Sequence, residues 1–205
     1  MERGLFVAFE GIDGCGKSTQ VELLSRHLES RGFPCVVTKE PGGTPLGREI
    51  RRLLLHSSGH PVPKAELLLY LADRAQHVEE VILPALEEGK VVITDRFSLS
   101  TLAYQCHGRG LSEEVFEEVS RWILGDLRPS ITFLLDLPVG EVFGRIRRGS
   151  RDRMEREEGS FFRRVREGFL QLAKEDDTVV VLDATASPGE IHRKVVKFLH
   201  TLLGG

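Results

Sequence analysis

Apolar and polar positions along the chain follow two alternating patterns. Five short apolar runs are nearly continuous and rich in β-branched residues, which is typical of strands buried on both faces of a parallel sheet. They are Leu5–Phe9, Cys35–Thr38, Val91–Thr94, Ile131–Leu135 and Val179–Leu182. The longer segments between them carry apolar residues at helical spacing. Helices that alternate with buried strands predict a doubly wound α/β sheet.

Three intervening segments carry clear helix signals. Gln20–Arg31 is predicted to be a helix with one apolar face, and Ser112–Gly125 begins with a capping serine. Ser187–Glu190 is a capping box with proline at the first helical position. The apolar stripe that follows the capping box comprises Ile191, Val195, Phe198, Leu199 and Leu202.

Length, charge and cysteine content narrow the class of protein. The 205 residues predict one domain, 1–205, and the net charge of −3 argues against a nucleic-acid coat or a binder of anionic membranes. Three cysteines without a C-x-x-C pair argue against a disulfide framework or a structural zinc site and favour a reducing compartment. Apolar runs are too short for a signal peptide or a membrane helix, so we expect a cytoplasmic protein.

A glycine-rich loop follows the first predicted strand. The stretch Gly11–Ser18 fits G-x-x-x-x-G-K-[ST] and precedes a helical segment. Glycine lets backbone N–H groups approach phosphate oxygens, while Lys17 can reach the β- and γ-phosphates. The pattern predicts ATP or GTP binding. The predicted nucleotide-binding residues are Gly11, Ile12, Asp13, Gly14, Cys15, Gly16, Lys17, Ser18 and Thr19.

Two charged residues follow the third predicted strand. A carboxylate at the carboxyl end of a buried strand faces the ligand crevice, so Asp95 is a candidate Mg²⁺ ligand together with Ser18. Asp95 could instead cap the next helix, at about Ser98. Arg96 could bridge the phosphates of two substrates, or form a surface salt bridge. The N/T-K-x-D signature of guanine-binding proteins is missing, so a switch GTPase is not favoured.

Five ordered motifs resemble those of bacterial-type thymidylate kinases, over essentially the whole chain. Ser18–Gln20 continues the glycine-rich loop as in that family, and Glu40–Thr44 is similar to its E-P-G-G-T element. Leu71–His77 resembles the helix that supplies an arginine to the nucleoside monophosphate. Asp95–Gln105 is similar to the D-R-[YFH]-x-x-S-x-x-A-Y-Q signature, and Arg148–Glu155 resembles a LID that ends in D-R-x-E.

The resemblance implies a fold, a reaction and a cofactor. The implied fold is a P-loop three-layer α/β/α sandwich with a five-stranded parallel sheet and a short mobile LID at about 145–158. The implied reaction is phosphoryl transfer from ATP to dTMP with Mg²⁺, giving dTDP for dTTP biosynthesis. A homodimer is expected from the family, although the sequence pattern of the predicted helices does not distinguish a dimer interface from a buried core face. Neither nucleic acid nor a membrane is an expected partner.

The resemblance also implies roles around the acceptor. Arg74 would clamp the acceptor phosphate, and Tyr70, one helical turn earlier, would stack on thymine. Tyr104 would disfavour a ribose 2′-hydroxyl, and Asp13 would reach the 3′-hydroxyl and the metal region. Ordinary core packing, helix capping or solvent contact are the alternatives for several of these residues. The implied dTMP site comprises Asp13, Glu40, Pro41, Tyr70, Arg74, Arg96, Ser100, Thr101, Tyr104 and Gln105.

The resemblance implies that arginines, together with Lys17 and Mg²⁺, neutralise charge on the transferring phosphoryl group. The stretch 13–15 has no arginine, which resembles the bacterial arrangement and implies that LID arginines do this work. Such an arginine is worth about 10³–10⁵ in turnover. Arg148 and Arg153 are the candidates, with Arg151 third, and each could instead be a solvated charge. The implied catalytic residues are Lys17, Asp13, Arg96, Arg148 and Arg153.

Other functions stay open at this point. Another nucleoside or nucleoside monophosphate kinase would share the glycine-rich loop and LID but differ at Tyr70, Arg74 and 101–105. A nucleic-acid-stimulated ATPase would use the arginines of 145–156 as a phosphate-binding strip, but acidic residues interleave with them. A catalytically inactive nucleotide-binding module is disfavoured by the intact Lys17 and Asp95.

Overall fold

A parallel sheet lies at the centre of the described structure. The computed structural model describes residues 4–56, 59, 61–145, 153–154 and 157–202. Within these residues the sheet has five strands in the order β2–β3–β1–β4–β5, all parallel. They are β1 Phe6–Glu10, β2 Cys35–Lys39, β3 Val91–Asp95, β4 Ile131–Asp136 and β5 Val179–Asp183.

All five predicted strands are confirmed, and each ends one residue later than its apolar run. The extra residue is charged in every strand: Glu10, Lys39, Asp95, Asp136 and Asp183. Apolar patterning misses this last position because a charged side chain interrupts the run. The carboxyl edge of the sheet is therefore lined with charges, and this is the edge at which ligands bind in such folds.

Helices connect successive strands. They are α1 Lys17–Glu29, α2 Pro45–His56, α3 Pro63–His77, α4 Leu83–Glu87, α5 Ser98–Thr101, α6 Glu113–Leu124, α7 Val139–Arg145, α8 Gly159–Glu175 and α9 Pro188–Leu202. Two π-helical stretches, Val78–Ile82 and Leu102–Gly108, join α3 to α4 and extend α5. Such stretches occur frequently at functional sites.

The predicted helix ends are largely confirmed. Helix α1 begins three residues before the predicted Gln20, because it starts within the glycine-rich loop. Ser112 caps α6 by accepting a hydrogen bond from the Val115 N–H at 3.4 Å. The capping box forms as predicted, with the Ser187 hydroxyl 2.6 Å from a Glu190 carboxylate oxygen. These ends are set by local hydrogen bonds.

Apolar residues pack on both faces of the central strand. Phe6 and Ala8 contact a cluster that includes Val78 and Ile82 of the π-helical stretch. Val7 and Phe9, which alternate with them, belong to the main core with α1 residues such as Leu24. This alternation places helices on both sides of the sheet and gives three layers.

Burial on both faces does not extend to the edge strands. Val37 of β2 is 50% exposed and Val181 of β5 is 46% exposed, because an edge strand is covered incompletely. The predicted stripe of α9 also divides, since Ile191, Val195 and Leu199 are buried whereas Phe198 is exposed. Among the described residues, no helix has the length and apolarity needed to cross a membrane.

Candidate active site

The loop between β1 and α1 adopts backbone conformations suited to glycine. Gly11, Gly14 and Gly16 have φ angles of 132°, 76° and 100°. A Cβ at Gly11 would also lie 2.5 Å from the Leu135 carbonyl oxygen. A Cβ at Gly16 would meet no atom within 4 Å, so the loop is open at the start of α1. There the first N–H groups of the helix are available to an anion.

Lys17 lies inside this loop with its ammonium group held by backbone carbonyls. Its Nζ donates to the Gly11 oxygen at 3.0 Å and to the Ile12 oxygen at 3.1 Å, and the residue is only 6% exposed. Both carbonyls belong to the loop that would surround a phosphate chain. Lys17 is therefore positioned at the predicted site, and its contact with β- and γ-phosphates stays a prediction.

Ser18 and Asp95 meet at the carboxyl end of β3. The Ser18 hydroxyl donates to Asp95 Oδ2 at 2.6 Å. From the sequence, Asp95 is also a candidate cap for the helix near Ser98. The hydrogen bonds show a different cap, because Glu10 accepts from the N–H groups of Phe97 and Ser100 there. A hydroxyl and a carboxylate are hard oxygen donors, which suit Mg²⁺. In the described part of the chain, three or more His, Cys, Asp or Glu side chains do not gather into a metal cluster.

Asp13, Arg96 and Tyr104 form a hydrogen-bonded group beside the loop. Arg96 Nη2 donates to Asp13 Oδ1 at 2.6 Å, and the Tyr104 hydroxyl donates to Asp13 Oδ2 at 2.8 Å. The Arg96 guanidinium also lies 5.0 Å from the centre of the Tyr104 ring. Arg96 has a φ of 78°, an unusual conformation for a residue other than glycine and one that commonly marks functional sites.

Positive charge keeps the Asp13 carboxyl ionised. Burial alone would raise the pKa of Asp13, but Arg96 and then Lys17 outweigh burial and hold the pKa below its ordinary value. Burial, followed by the Asp13 charge, raises the pKa of Tyr104 well above its ordinary value. Asp13 is thus an acceptor and Tyr104 a donor at neutral pH. The contact with Arg96 supplies the positive charge that offsets the cost of burying this carboxylate.

Arg74 is buried in a second group with Glu40 and His77. Its Nε donates to Glu40 Oε2 at 2.9 Å, and its Nη2 donates to the Thr101 hydroxyl at 2.8 Å. Among the described residues, Nη1 finds no hydrogen-bond partner although it is buried. Burial would raise the pKa of Glu40, but Arg74 and then His77 hold it below its ordinary value. For Arg74 to bind a phosphate through two nitrogens, it would therefore have to give up its hydrogen bond to Glu40 or to Thr101.

Two cavities meet at the carboxyl edge of the sheet. The first lies over the glycine-rich loop and is lined by Lys17, Ser18 and Asp95 among others. The second reaches between α2, α3 and the π-helical stretch Leu102–Gly108. Both cavities are lined by Asp13, Glu40, Arg51 and Arg96.

The second cavity brings together all ten predicted acceptor residues. Those lining it are Asp13, Glu40, Pro41, Tyr70, Arg74, Arg96, Ser100, Thr101, Tyr104 and Gln105. Arg51, Leu55, Phe97 and Met154 also line it, and sequence reasoning did not single them out. Arg51 looks like an ordinary helix-surface arginine in the sequence. Its Nη1 donates to the Pro41 carbonyl at 2.9 Å, a contact between α2 and the preceding loop that no sequence pattern reveals.

Comparison with known proteins identifies this arrangement. The sequence profile of thymidylate kinase matches residues 9–195. The chain belongs to the thymidylate kinase family. The chain is 52% identical to the thymidylate kinase of Halothermothrix orenii, over 94% of this chain and 95% of that protein. It is 45% identical to the thymidylate kinase of Fervidobacterium nodosum, over 97% of this chain and all of that protein.

A solved structure agrees in fold. The crystal structure of thymidylate kinase from Ehrlichia chaffeensis superposes with a TM-score of 0.80 at 33% identity, covering 96% of this chain and 99% of that one. The α/β P-loop kinase fold is thus confirmed, and the chain is a kinase. Thymidylate kinases phosphorylate dTMP to dTDP.

The family's LID arginines fall partly outside the described residues. Arg148 and Arg151 lie outside them. Arg153 Nη2 pairs with the buried carboxylate of Glu66, and its Nε donates to the Leu54 carbonyl at 2.9 Å. These contacts lie beside the second cavity. The neutralising role of Arg148 and Arg153 stays a prediction.

Cys15 behaves as a small buried residue. It is 1% exposed, and burial raises the pKa of its thiol above the ordinary value despite the neighbouring Lys17. A raised pKa lowers the fraction of reactive thiolate. Cys15 is therefore a small buried side chain with little reactive thiolate.

Glu10 is a site residue that sequence reasoning missed. One of its carboxylate oxygens accepts from the Phe97 N–H at 2.8 Å and the Ser100 N–H at 3.2 Å, and the other accepts from the Ser100 hydroxyl. It thereby fixes the segment that carries Arg96. Burial raises the pKa of Glu10 to about 7, against the opposing effects of Ser100 and Arg96. In the sequence, Glu10 appears only as the end of an apolar run.

We expect Glu10→Gln to change how stability depends on pH. A folded-state pKa raised from 4.5 to about 7 means that the contribution of Glu10 is full below pH 4.5 and is lost as pH rises through 7. The uncharged variant lacks this loss, so its stability relative to the parent should increase by about 3 kcal/mol from pH 4.5 to 8. Urea unfolding across this range measures the difference. The exposed Glu22→Gln is the control, and a pH-independent difference for Glu10→Gln would contradict the prediction.

Proposed function

We propose that this chain transfers the γ-phosphoryl group of ATP to the phosphate of dTMP, giving ADP and dTDP. The observation that carries the proposal is that the glycine-loop cavity and the second cavity share Asp13, Glu40, Arg51 and Arg96. A triphosphate in the first cavity and a monophosphate in the second would meet end to end at this shared wall. Productive transfer requires the reacting atoms to lie about 3–3.5 Å apart.

The donor side consists of the glycine-rich loop and the start of α1. The N–H groups of residues 11–19 would hold the phosphate chain, and Lys17 would exchange its carbonyl partners for phosphate oxygens. Ser18 and Asp95 would hold Mg²⁺, directly or through water. When bound, Mg²⁺ supplies positive charge that offsets the charge of the β- and γ-phosphates. The 2.6 Å contact between these two side chains supports the assignment.

The acceptor phosphate is assigned to Arg96 and Arg51, which line both cavities. Arg74 lines the second cavity alone, and Glu40 already balances its charge. An arginine nitrogen can only donate, so the unpartnered Nη1 of Arg74 suits a carbonyl oxygen of thymine. We therefore revise the predicted phosphate clamp at Arg74 to a base contact, with Thr101 and Gln105 at the same end of the cavity.

The sugar is assigned to the group around Asp13. As an ionised acceptor, Asp13 suits the 3′-hydroxyl of the acceptor. Tyr104 lines the cavity beside Asp13, where its ring would disfavour a 2′-hydroxyl, and the partly buried ring of Tyr70 would offer a flat face to thymine. The acceptor phosphate has a second pKa of about 6 and is a nucleophile at neutral pH without a general base. Arg148 remains the proposed LID residue that neutralises negative charge on the transferring phosphoryl group.

A substrate panel tests this function. The purified enzyme with ATP and Mg²⁺ should phosphorylate dTMP with a higher kcat/KM than dCMP, dAMP or dGMP, as measured by coupled detection of ADP. Omitting Mg²⁺, or adding excess chelator, should abolish turnover. Activity on dTMP below that on every other monophosphate would contradict the proposal.

We also propose a cytoplasmic homodimer. Helix α3 packs against both α2 and α6. These helices carry the exposed apolar residues Leu53, Leu68, Val115 and Trp122, of which Trp122 is 85% exposed. Exposed apolar groups of this size favour an interface. Free thiols at Cys15, Cys35 and Cys106 favour a reducing compartment. Sedimentation at the mass of a single 23.0 kDa chain would contradict the dimer.

A further inference from the structure

Glu66, in the first turn of α3, is a buried carboxylate to which the proposed chemistry assigns no role. It accepts hydrogen bonds from Gln105 Nε2 at 2.9 Å and from Arg109 Nε at 3.2 Å. Arg153 Nη2 also donates to it. A buried carboxylate is costly unless it is paired and hydrogen-bonded. The three partners of Glu66 offset the cost of burying its charge.

The partners of Glu66 belong to separate segments that meet at the wall of the second cavity. Gln105 lines that cavity, and so does Met154, the neighbour of Arg153. Arg153 also donates to the Leu54 carbonyl near the end of α2. One carboxylate on α3 therefore joins the end of α2, the π-helical stretch Leu102–Gly108 and residues 153–154.

Arg109 has further partners besides Glu66. It pairs with Glu157 at 2.7 Å, and its guanidinium lies 4.7 Å from the centre of the Phe161 ring. Glu157 is therefore a second carboxylate on the same arginine that has no contact with Gln105 among the described residues. It provides an internal control for any effect of charge at Arg109.

The contact with Glu66 fixes which way the Gln105 amide faces. A carboxylate can only accept a hydrogen bond, so the NH₂ end of the amide must face Glu66 and Oε1 must lie on the other branch. Gln105 can then offer its oxygen to a bound base. Thymine and uracil carry an N3–H that donates to such an oxygen, whereas N3 of cytosine is an acceptor and would be repelled.

We propose that Glu66 is a positioning residue that sets base preference, by fixing the Gln105 amide and by holding Arg153 and Met154 at the cavity wall. The proposal rests on the proposed dTMP site and deepens it. It assigns to that site a preference for pyrimidines with an N3–H and a 4-carbonyl oxygen over those with a 4-amino group. Arg74, which offers only donors, favours the same bases.

Glu66→Gln tests the proposal with little change of shape. The new amide can present either end to Gln105, so the orientation is no longer fixed. We expect KM for dTMP to rise about 10-fold, KM for ATP to stay within about twofold, and the kcat/KM preference for dTMP over dCMP to fall about 10-fold. Glu157→Gln should leave this preference unchanged.

Three results would overturn the proposal: an unchanged preference in Glu66→Gln, an equal loss in Glu157→Gln, or equal rises of both KM values. The last would indicate a general structural role. Failure of the parent enzyme to phosphorylate dTMP would instead count against the proposed function. The two failures are therefore distinguishable in one set of assays.

A measurement on the parent protein covers the case in which Glu66→Gln fails to fold. The side-chain NH₂ signals of Gln105 can be assigned by NMR through their loss in Gln105→Ala. Hydrogen bonding to a buried carboxylate should slow their exchange with water, and dTMP should shift them more than ATP does. Rapidly exchanging signals that dTMP leaves unmoved would overturn the proposal.

Discussion

Replacing Lys17 with alanine should lower kcat several hundred-fold or more while leaving the protein folded. The ammonium group lies between the Gly11 and Ile12 carbonyls, at the mouth of the glycine-loop cavity. In the proposed reaction, negative charge develops on the β–γ bridging oxygen. The Lys17 ammonium stabilises that charge, so its effect is largest in the transition state. Loss of one such electrostatic contact typically costs about 10²–10³ in kcat.

Steady-state assays with saturating ATP and dTMP measure this effect. Lys64→Ala is the matched control, because Lys64 is an exposed lysine on α3, and it should turn over normally. Lys17→Arg keeps the charge but carries a planar fork in place of a compact ammonium, so it should also be strongly impaired. Near-normal turnover of Lys17→Ala would remove Lys17 from the chemistry.

Replacing Arg74 with alanine should raise KM for dTMP about 100-fold and change KM for ATP little. Arg74 lines only the acceptor cavity, where it contacts Glu40 and Thr101 and leaves one nitrogen for a ligand. Loss of that donor removes a contact with the base and loosens the wall around it. Equal effects on both substrates would contradict this placement.

The Arg74 variant also distinguishes base recognition from a phosphate clamp. If Arg74 contacts the base, Arg74→Ala should lose affinity for thymidine and keep its affinity for 2-deoxyribose 5-phosphate, both measured as competitive inhibitors. A clamp predicts the reverse. Removing Arg74 leaves Glu40 buried beside His77 alone, at a cost of about 3–5 kcal/mol. Thermal unfolding of Arg74→Ala and of Arg74→Ala with Glu40→Gln separates this cost from binding.

Elements built from neighbouring residues follow from the sequence. The strands appear as apolar runs and the helix starts as capping residues, because both depend on contacts within a few positions. The glycine-rich loop is recognisable for the same reason: its backbone conformation and its phosphate-binding N–H groups lie within Gly11–Ser18. The five motifs indicated the thymidylate kinase family because each is contiguous.

Tertiary structure decided which charges belong to the site and which partners they have. Asp13 and Arg96 are 83 residues apart, and Glu66 and Arg153 are 87 apart, so no local pattern pairs them. The adjacent parallel strands β1 and β3 bring Asp13 and Arg96 to one edge of the sheet. Glu10, Arg51 and Glu66 look like ordinary charged residues in the sequence, because burial depends on segments that pack only in the folded chain.

The amino-acid sequence by itself therefore determined the sheet, the donor loop and the family, since these depend on local spacing and hydrogen bonding. Only the folded structure determined that Arg74 is already paired, that Arg51 and Arg96 line both cavities, and that Glu66 holds Gln105. These features arise where distant segments exclude water together, and the energy of a charge depends on that exclusion.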